Sequence, residues 1–513
     1  MKTLFGLSMD SIMFVLLGVF LLVTAGVAIL AVRNRLLFKL ALRNIPRRRA
    51  QTILIVVGLM LSTVIITSAF GTGDTISYSV RASAVAGLGT VDEAVFHTGG
   101  IGGEALVNGM GPISARTAAT IEANVAANPK ADGSMTALIT GAPLQDLTSG
   151  QTKAGSLLEA FPATYSRAFG GLTTTSGSSV TLGTLAANEA YLNQKAADSL
   201  NAHPGDRVTV VVAGQTLTFT VRAILRNDNL ASGGLSTAIQ IAPAGVQLLP
   251  SIILPLGNVR HARPNVVLVS NLGDATSGAD TTSAVTTPLR ALLANSREVA
   301  TATSLLARPA GVAALHTLIG DGAQAGANTK LTHLLALVTH PGQSPELRSL
   351  LSDPTVISAL KTIKDPTVAG ALNNTLASIS DYSVVTAKQD GLDRADLYGS
   401  IFTSIFIVFG LFSIAAGIML IFLIFVMLAA ERRAEMGMAR AIGTKRRHLI
   451  QQYLFEGFVY NLGAALVGIV LGVLVGLGMV KIMALLLRSV DFSIQSHIEP
   501  RSVAVAFSLG ALV

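Results

Sequence analysis

The sequence predicts a membrane α-helical bundle carrying a large α+β extracytoplasmic domain. Three observations lead there. Four uncharged runs, Ser11–Val32, Ala50–Gly73, Leu397–Ala430 and Gly457–Val480, are each long enough to cross a bilayer as a helix, which takes about 20 apolar residues. Basic residues crowd into two of the short segments between them. Residues 74–396 then form one long mixed segment with strand and helix signals. Half of the residues are hydrophobic and 13% charged, a balance that fits a membrane protein with a sizeable part outside the bilayer.

Residues 1–10 hold only Lys2 and Asp10 as charges and are placed outside. Ser11–Val32 is read as a helix that stays in place rather than a cleaved leader, because strong positive charge follows it instead of preceding it. Residues 33–49 carry seven Lys/Arg and no acid, which puts them in the cytoplasm. Arg35, Lys39 and Arg43 recur every four residues as a basic stripe beside Leu36, Leu37, Leu40 and Ala41, the pattern of a helix lying in the interface on anionic headgroups. A plain positive-inside anchor accounts for the same charges. Residues 50–73 return to the outside, 397–430 come back in, and 457–480 go out again. The loop 431–456 has six Lys/Arg and three Glu and is also cytoplasmic. Residues 481–501 are then an outer loop. The last run, 502–513, has only 12 residues and reads as the start of a cut transmembrane helix, so a C-terminally incomplete chain is expected.

The net charge of +8 follows from this topology, since the two inner segments contribute +7 and +3. It does not call for a nucleic-acid partner. There is no cysteine, which excludes disulfides and thiol chemistry; a domain of this size can rely on its core.

Within 74–396, Val91–Phe96 is a strand candidate and Ala187–Leu200 a helix. His203-Pro204-Gly205-Asp206 makes a turn, and Arg207–Ala213 and Gln215–Leu225 follow as a hairpin. Asn265–Ser270 is another strand. Residues 99–180 are too rich in Gly, Ala, Thr and Ser to place elements. From about 283 to 380 the signals turn helical. Ser344 before Pro345, and Asp353-Pro354-Thr355-Val356 repeated as Asp365-Pro366-Thr367-Val368, start short helices with a cap and a proline at the first position. Two copies are too few for a solenoid, so the segment is read as a helical insertion. Asp381–Ala387 is a final strand.

No phosphate loop of the form G-x-x-x-x-G-K-[ST] occurs, so the chain is not expected to hydrolyse ATP, and no nucleophile elbow or paired-histidine metal motif appears. No enzymatic activity, cofactor or metal is expected. The four uncharged runs hold no Asp, Glu, Lys, Arg or His, which argues against an ion-coupled carrier. Ala464, Gly468, Gly472 and Gly476 fall at four-residue spacing. Such a stripe lets helices approach closely, either within the chain or across a dimer seam. In 431–456, Ala434–Ala441 can extend the preceding helix, Gly443 can stop it and Thr444 can cap the next. Met436, Met438, Ala439 and Ile442 offer an apolar surface among charges. A solvated loop is the plain reading; a docking hairpin is the sharper one.

Glu431–Gly443, with Glu435, Ala439-Arg440-Ala441-Ile442-Gly443 and the following Lys445-Arg446-Arg447, resembles the signature loop of FtsX-like ABC transporter permeases, also called MacB/Lol-type or mechanotransmission permeases. Leu40–Asn44 with Arg47–Arg49 and Thr52 is similar to the start of the family's first span. Ala196–Val221 is similar to its extracytoplasmic core. The resemblance covers about 200 residues. It implies a separate cytoplasmic ABC ATPase docking on Glu435, Met436, Ala439, Arg440, Ala441, Gly443, Thr444 and Lys445. ATP-driven motion would pass to the outer domain for export or extraction of lipoprotein, lipid, peptide or drug. A relative of this kind activates cell-wall hydrolases instead, and a membrane sensor is the reading from another class. The implied setting is multi-pass in the inner or plasma membrane, with membrane lipids and a second permease core as further partners. The extra span 11–32 and the insertion at 283–380 depart from the family pattern.

Overall fold

In a computed structural model, the structure describes residues 3–4, 7–44, 49–97, 110–165, 167–212, 214–235, 248–259, 263–320, 327–339, 344–431, 437–438, 445–486 and 494–512. In chain order the helices begin with α1 (Met9–Arg33), α2 (Arg35–Asn44) and α3 (Arg49–Leu88). The strands of the main sheet are β1 (Glu93–His97), β2 (Ala131–Gly141), β3 (Leu144–Asp146), β4 (Thr152–Lys153), β5 (Leu157–Phe161), β6 (Glu189–Asn193), β7 (Arg207–Val212), β8 (Gln215–Leu225), β9 (Ser251–Pro255), β10 (Val266–Asn271) and β11 (Tyr382–Val385). Between them lie α4 (Ala115–Ala126) and α5 (Gln194–Leu200), then α6 (Thr282–Leu293), α7 (Ser296–Leu306), α8 (Pro309–Gly320), α9 (Ala327–Thr339), α10 (Pro345–Leu351), α11 (Pro354–Leu360) and α12 (Ala369–Ala377). The chain closes with α13 (Ala387–Glu431), α14 (Arg446–Leu486) and α15 (Pro500–Leu512). It folds as two compact units, Met1–Ser79 with Ala395–Val513, and Val80–Arg394.

The first unit is helical. Among the described residues three helical stretches, Met9–Arg33, Ile55–Leu88 and Arg446–Leu485, are long and apolar enough to cross a membrane. The 45-residue α13 contains the uncharged run 397–430. Met9, Ile66, Phe70, Val505 and Ala506 form one buried cluster, which seats α15 against α1 and α3; Phe20 and Phe507 meet edge to face at 5.2 Å. Residues 35–44 are helical as the basic stripe predicts. This helix also packs on α14, with Ala41 wholly buried, so its apolar side has a protein partner. The helices outrun the uncharged runs, and this brings in acids that the runs exclude. Asp74 on α3 and Glu456 on α14 are both 2% exposed.

The second unit is built on a sheet with the strand order β11-β1-β10-β2-β5-β9-β6-β8-β7-β3-β4. Neighbours are antiparallel except β6 with β8 and β9 with β5. The central strands β5, β9 and β10 are buried at every position, as strands covered on both faces must be. One face packs Phe161, Phe169, Tyr191 and Ile253 into the largest core. The hairpin at 207–225 forms with Val212 opposite Gln215, closed at Gly214 with φ +76°, a conformation that suits glycine.

Two elements differ from the sequence expectation. Ala187–Leu200 is not one helix: Glu189–Asn193 is strand β6, and Asn193 then caps α5 by accepting from the Ala196 N–H. The run Ala190-Tyr191-Leu192 is buried inside the sheet, and that packing overrides local helix propensity. The Asp353 copy of the repeat does cap a helix, accepting from Thr355 and Val356 N–H. The Asp365 copy makes only a turn, and α12 begins three residues after Pro366. Residues 110–180, which gave no clear signal, hold α4 and four strands of the sheet. The helical region α6–α12 has its own core around Leu306, Leu315, Leu331, Leu351 and Leu372.

Candidate functional site

The cytoplasmic loop of the sequence reading is mostly outside the described residues: Glu435, Met436, Ala439, Arg440, Ala441, Gly443 and Thr444 all lie there. Lys445 is described and exposed, and its carbonyl accepts the first helical bond, from the His448 N–H, as α14 begins.

The start of α14 is gripped by α2 and α3. Asn34 Nδ2 donates to Gln451 Oε1 at 3.0 Å, and Phe38 meets Phe455 edge to face at 5.6 Å. Tyr460 donates its hydroxyl to Glu456 Oε1 at 2.8 Å and accepts from Thr52 Oγ1 at 3.4 Å. The carboxylate inside this bundle is therefore hydrogen-bonded, as burial requires.

Further along α14 the small residues face α3. Ala464 is fully buried. A Cβ on Gly468 would stand 2.7 Å from Thr63 Cβ, and one on Gly472 would stand 2.6 Å from Thr67 Cβ; Gly476 lies over Ser68. Only glycine permits that approach. The pairings Thr52–Tyr460, Thr63–Gly468, Thr67–Gly472 and Ser68–Gly476 rise together in sequence, so α3 and α14 run parallel. Thr63 is also in contact with Gly510 of α15.

At the other end of these helices, Thr75 Oγ1 donates to the His497 carbonyl and accepts from the His497 N–H. Ser79 makes the same two-way exchange with Gln495. Asp74 accepts from the Glu499 N–H, and Arg501 reaches Asp10 at 3.6 Å.

The second unit has two buried ionic sites that the sequence did not signal. Lys388 Nζ, on the first turn of α13, stands 2.8 Å from Asp92 Oδ1, and both side chains are essentially inaccessible. Asp92 Oδ2 accepts from the Asn271 N–H at 2.8 Å, and Asn271 Nδ2 donates to Glu93 Oε1 at 2.7 Å. Burial pushes the Glu93 carboxyl up to about 8, against the hydrogen bond from Asn271. Gly391, one turn after Lys388, faces Ala84, where an added Cβ would stand 3.2 Å from the alanine Cβ. The second site centres on Asp353. Arg290 Nη1 lies 2.7 Å and Lys330 Nζ 2.9 Å from its Oδ2, and Arg290 Nη2 donates to the Val384 carbonyl. Burial pushes Asp353 up, but the two cations outweigh it and hold the carboxyl below its usual range. Such partners, more than 20 and 60 residues away, leave no local pattern. Among the described residues no group of three or more His, Asp or Glu side chains is placed to hold a metal ion.

These features define the class: a membrane protein of apolar helices with one large sheet-based domain inserted between them. Residues 407–513 match the family model described as FtsX-like permease C-terminal, and over that segment the chain is similar to FtsX-like permeases. Among solved structures, the chain is similar to the crystal structure of the periplasmic region of MacB from Actinobacillus actinomycetemcomitans. Identity is 14%, the TM-score 0.24, and the match covers 40% of this chain and 86% of that one. No curated protein matches the chain.

Proposed function

We propose that this chain is the permease subunit of an ABC transporter that takes up the ATP-driven motion of a separate cytoplasmic ATPase through the loop 431–456. That motion is passed to the domain at 74–396, which acts outside the membrane on lipoprotein, lipid, peptide or drug. The observation that carries the reading is the FtsX-like permease match over 407–513, a segment that includes this loop.

The helix pairings support the topology it needs. Because α3 and α14 run parallel, their starts share one side of the membrane. The bonds Asn34–Gln451 and Phe38–Phe455 bring the two basic segments to that side, which basic residues mark as cytoplasmic. The contacts of Thr75, Ser79 and Asp10 with residues 495–501 gather the segments assigned to the outside at the opposite end. Neither cluster mixes inner with outer segments.

The test is charge reversal at Arg440 with Lys445. The double variant is expected to insert in the membrane normally. It should lose at least tenfold in co-purification with the ATPase, or in stimulation of its turnover. ATPase coupling unchanged from the parent protein would refute the docking assignment.

A further inference from the structure

The end of the helical unit that basic residues mark as cytoplasmic carries a row of cations that its own packing leaves uncovered. On α2, positions 35, 39 and 43 recur every four residues and so share one helix face. They hold Arg35, Lys39 and Arg43, and all three are exposed, as is Arg33 at the end of α1. The other side of α2 is taken: Asn34 and Phe38 meet Gln451 and Phe455 of α14, and Ala41 is wholly buried. These contacts fix α2 with its basic row turned away from α14.

The flanking segments bring no acid to neutralise that row. Residues 33–49 contain no Asp or Glu, and neither do residues 445–455. The start of α14 instead adds Lys445, Arg446 and Arg447, all exposed. The first acid along α14, Glu456, is 2% exposed and accepts the Tyr460 hydroxyl. Among the described residues no carboxylate pairs with Arg33, Arg35, Lys39 or Arg43. Like charges held together repel, and an anion bound from outside relieves them.

Depth and the apolar neighbours of the row select the anion. Gln451 and Phe455, which meet α2, lie just before the uncharged run that starts at Gly457. That sets α2 where hydrocarbon gives way to headgroups. Leu36 and Leu40 stand beside the cations and are 74% and 45% exposed. A soluble anion would leave both leucines in water. A phospholipid lays its acyl chains on them while its phosphate meets the cations. Clusters of four or more Lys/Arg directly inside a span hold anionic headgroups in this manner.

We propose that α2 presents a site for an anionic phospholipid of the inner leaflet, with the phosphate at Arg35, Lys39 and Arg43 and the acyl chains against Leu36 and Leu40. The site rests on the membrane reading of these helices and not on ATPase docking, so loss of one leaves the other standing.

The test uses the full chain in a neutral detergent, with phosphatidylglycerol and phosphatidylcholine added in equal amounts, and reads the retained lipid by native mass spectrometry. The parent protein is expected to retain phosphatidylglycerol at least fivefold over phosphatidylcholine. The triple variant Arg35→Gln, Lys39→Gln and Arg43→Gln should bring that preference below twofold. Arg33 and Arg47–Arg49 remain in it and keep the signal for insertion. Leu36→Gln with Leu40→Gln, which leaves every charge in place, should lower phosphatidylglycerol retention at least threefold. The control Arg116→Gln, Arg207→Gln and Arg222→Gln removes three exposed arginines of the sheet domain and should change nothing. Equal retention of the two lipids by the parent would overturn the proposal. So would a preference that survives the α2 triple variant, an equal loss in the control, or displacement of the lipid by an equal amount of inorganic phosphate, which would make the site one for a soluble anion.

Discussion

Lys388 and Asp92 form an ion pair of 2.8 Å with both side chains removed from solvent, although 296 positions separate them in the chain. Asp92 follows α3 and leads into β1, and Lys388 lies on the first turn of α13. The pair therefore ties the segment that brings the chain into the sheet domain to the one that takes it out. Paired strands β1 and β11 reinforce the same junction.

Removing one partner strands the other, which costs about 3–5 kcal/mol for a buried pair. Lys388→Met is expected to lower the unfolding free energy of the sheet domain by that order, read from thermal unfolding of the purified chain. The double variant Asp92→Asn with Lys388→Met keeps an acceptor for the Asn271 N–H and removes both charges. It should recover more than half of the loss. Equal destabilisation by the single and double variants would show that the charge pair is not the cause.

Asp353 offers a cleaner dissection, because asparagine caps helices as well as aspartate does. Asp353→Asn should keep α11 capped yet leave Arg290 and Lys330 without their anion, destabilising the helical region by roughly 3 kcal/mol. The pH profile tells charge from cap. The folded carboxyl lies below its usual range, so its contribution is present above the ordinary aspartate value near 4 and is lost as pH falls through the folded value. The parent protein should lose stability on acidification in that window. Asp353→Asn should be flatter there, by chemical denaturation at pH 3 to 6.

These two sites show where a sequence stops being legible. Asp353-Pro354 reads as a helix start because capping is local, and the structure has that cap. The hairpin at 207–225 is legible for the same reason, since Gly214 and two alternating runs adjoin. Arg290, Lys330, Lys388 and Asp92 look like ordinary surface charges, because burial is decided by chain segments far apart. Ala187–Leu200 misleads in the other direction: its first residues have helical composition, but β8 and β9 flank them and take them as a strand. The apolar runs and basic segments are legible because bilayer thickness and charge asymmetry act on composition alone.

Glu159 predicts an opposite pH response. It sits on β5 between Ile139 and Ile253, fully buried, and among the described residues neither carboxyl oxygen accepts a well-formed hydrogen bond. The hydroxyl of neighbouring Ser251 donates to the Leu249 carbonyl instead. Burial pushes the carboxyl up to about 8, so the folded chain holds a proton that the unfolded chain releases near 4.5. Stability should therefore fall as pH rises from about 4.5 to 8 and level off above, at up to about 1.4 kcal/mol per unit. Glu159→Gln should remove its share of that slope, leaving the share of Glu93, whose carboxyl is also pushed up to about 8, and should melt higher than the parent at pH 8.5. A Glu159→Gln profile parallel to the parent's across this window would contradict the assignment.

The contact of Gly472 with Thr67 makes the last prediction, and it separates packing from propensity. Replacing a helix glycine by alanine helps by up to about 1 kcal/mol when space is free. Gly463 and Gly478 on α14 have nothing within 4 Å of an added Cβ, so alanine at either should be neutral or mildly stabilising. At Gly472 the new Cβ would meet Thr67 Cβ at 2.6 Å and the Val64 carbonyl at 2.9 Å. Neither is the far end of a flexible side chain, so α3 and α14 must separate. Gly472→Val should then cost about 1–3 kcal/mol as overpacking, seen as a lower melting temperature in detergent. Thr67→Ala removes Cγ2, which the new Cβ would meet at 3.1 Å, but keeps the closer Cβ, so it should restore only part of the loss in the double variant. If Gly472→Val and Gly463→Ala melt alike, α14 does not lie on α3 through this stripe.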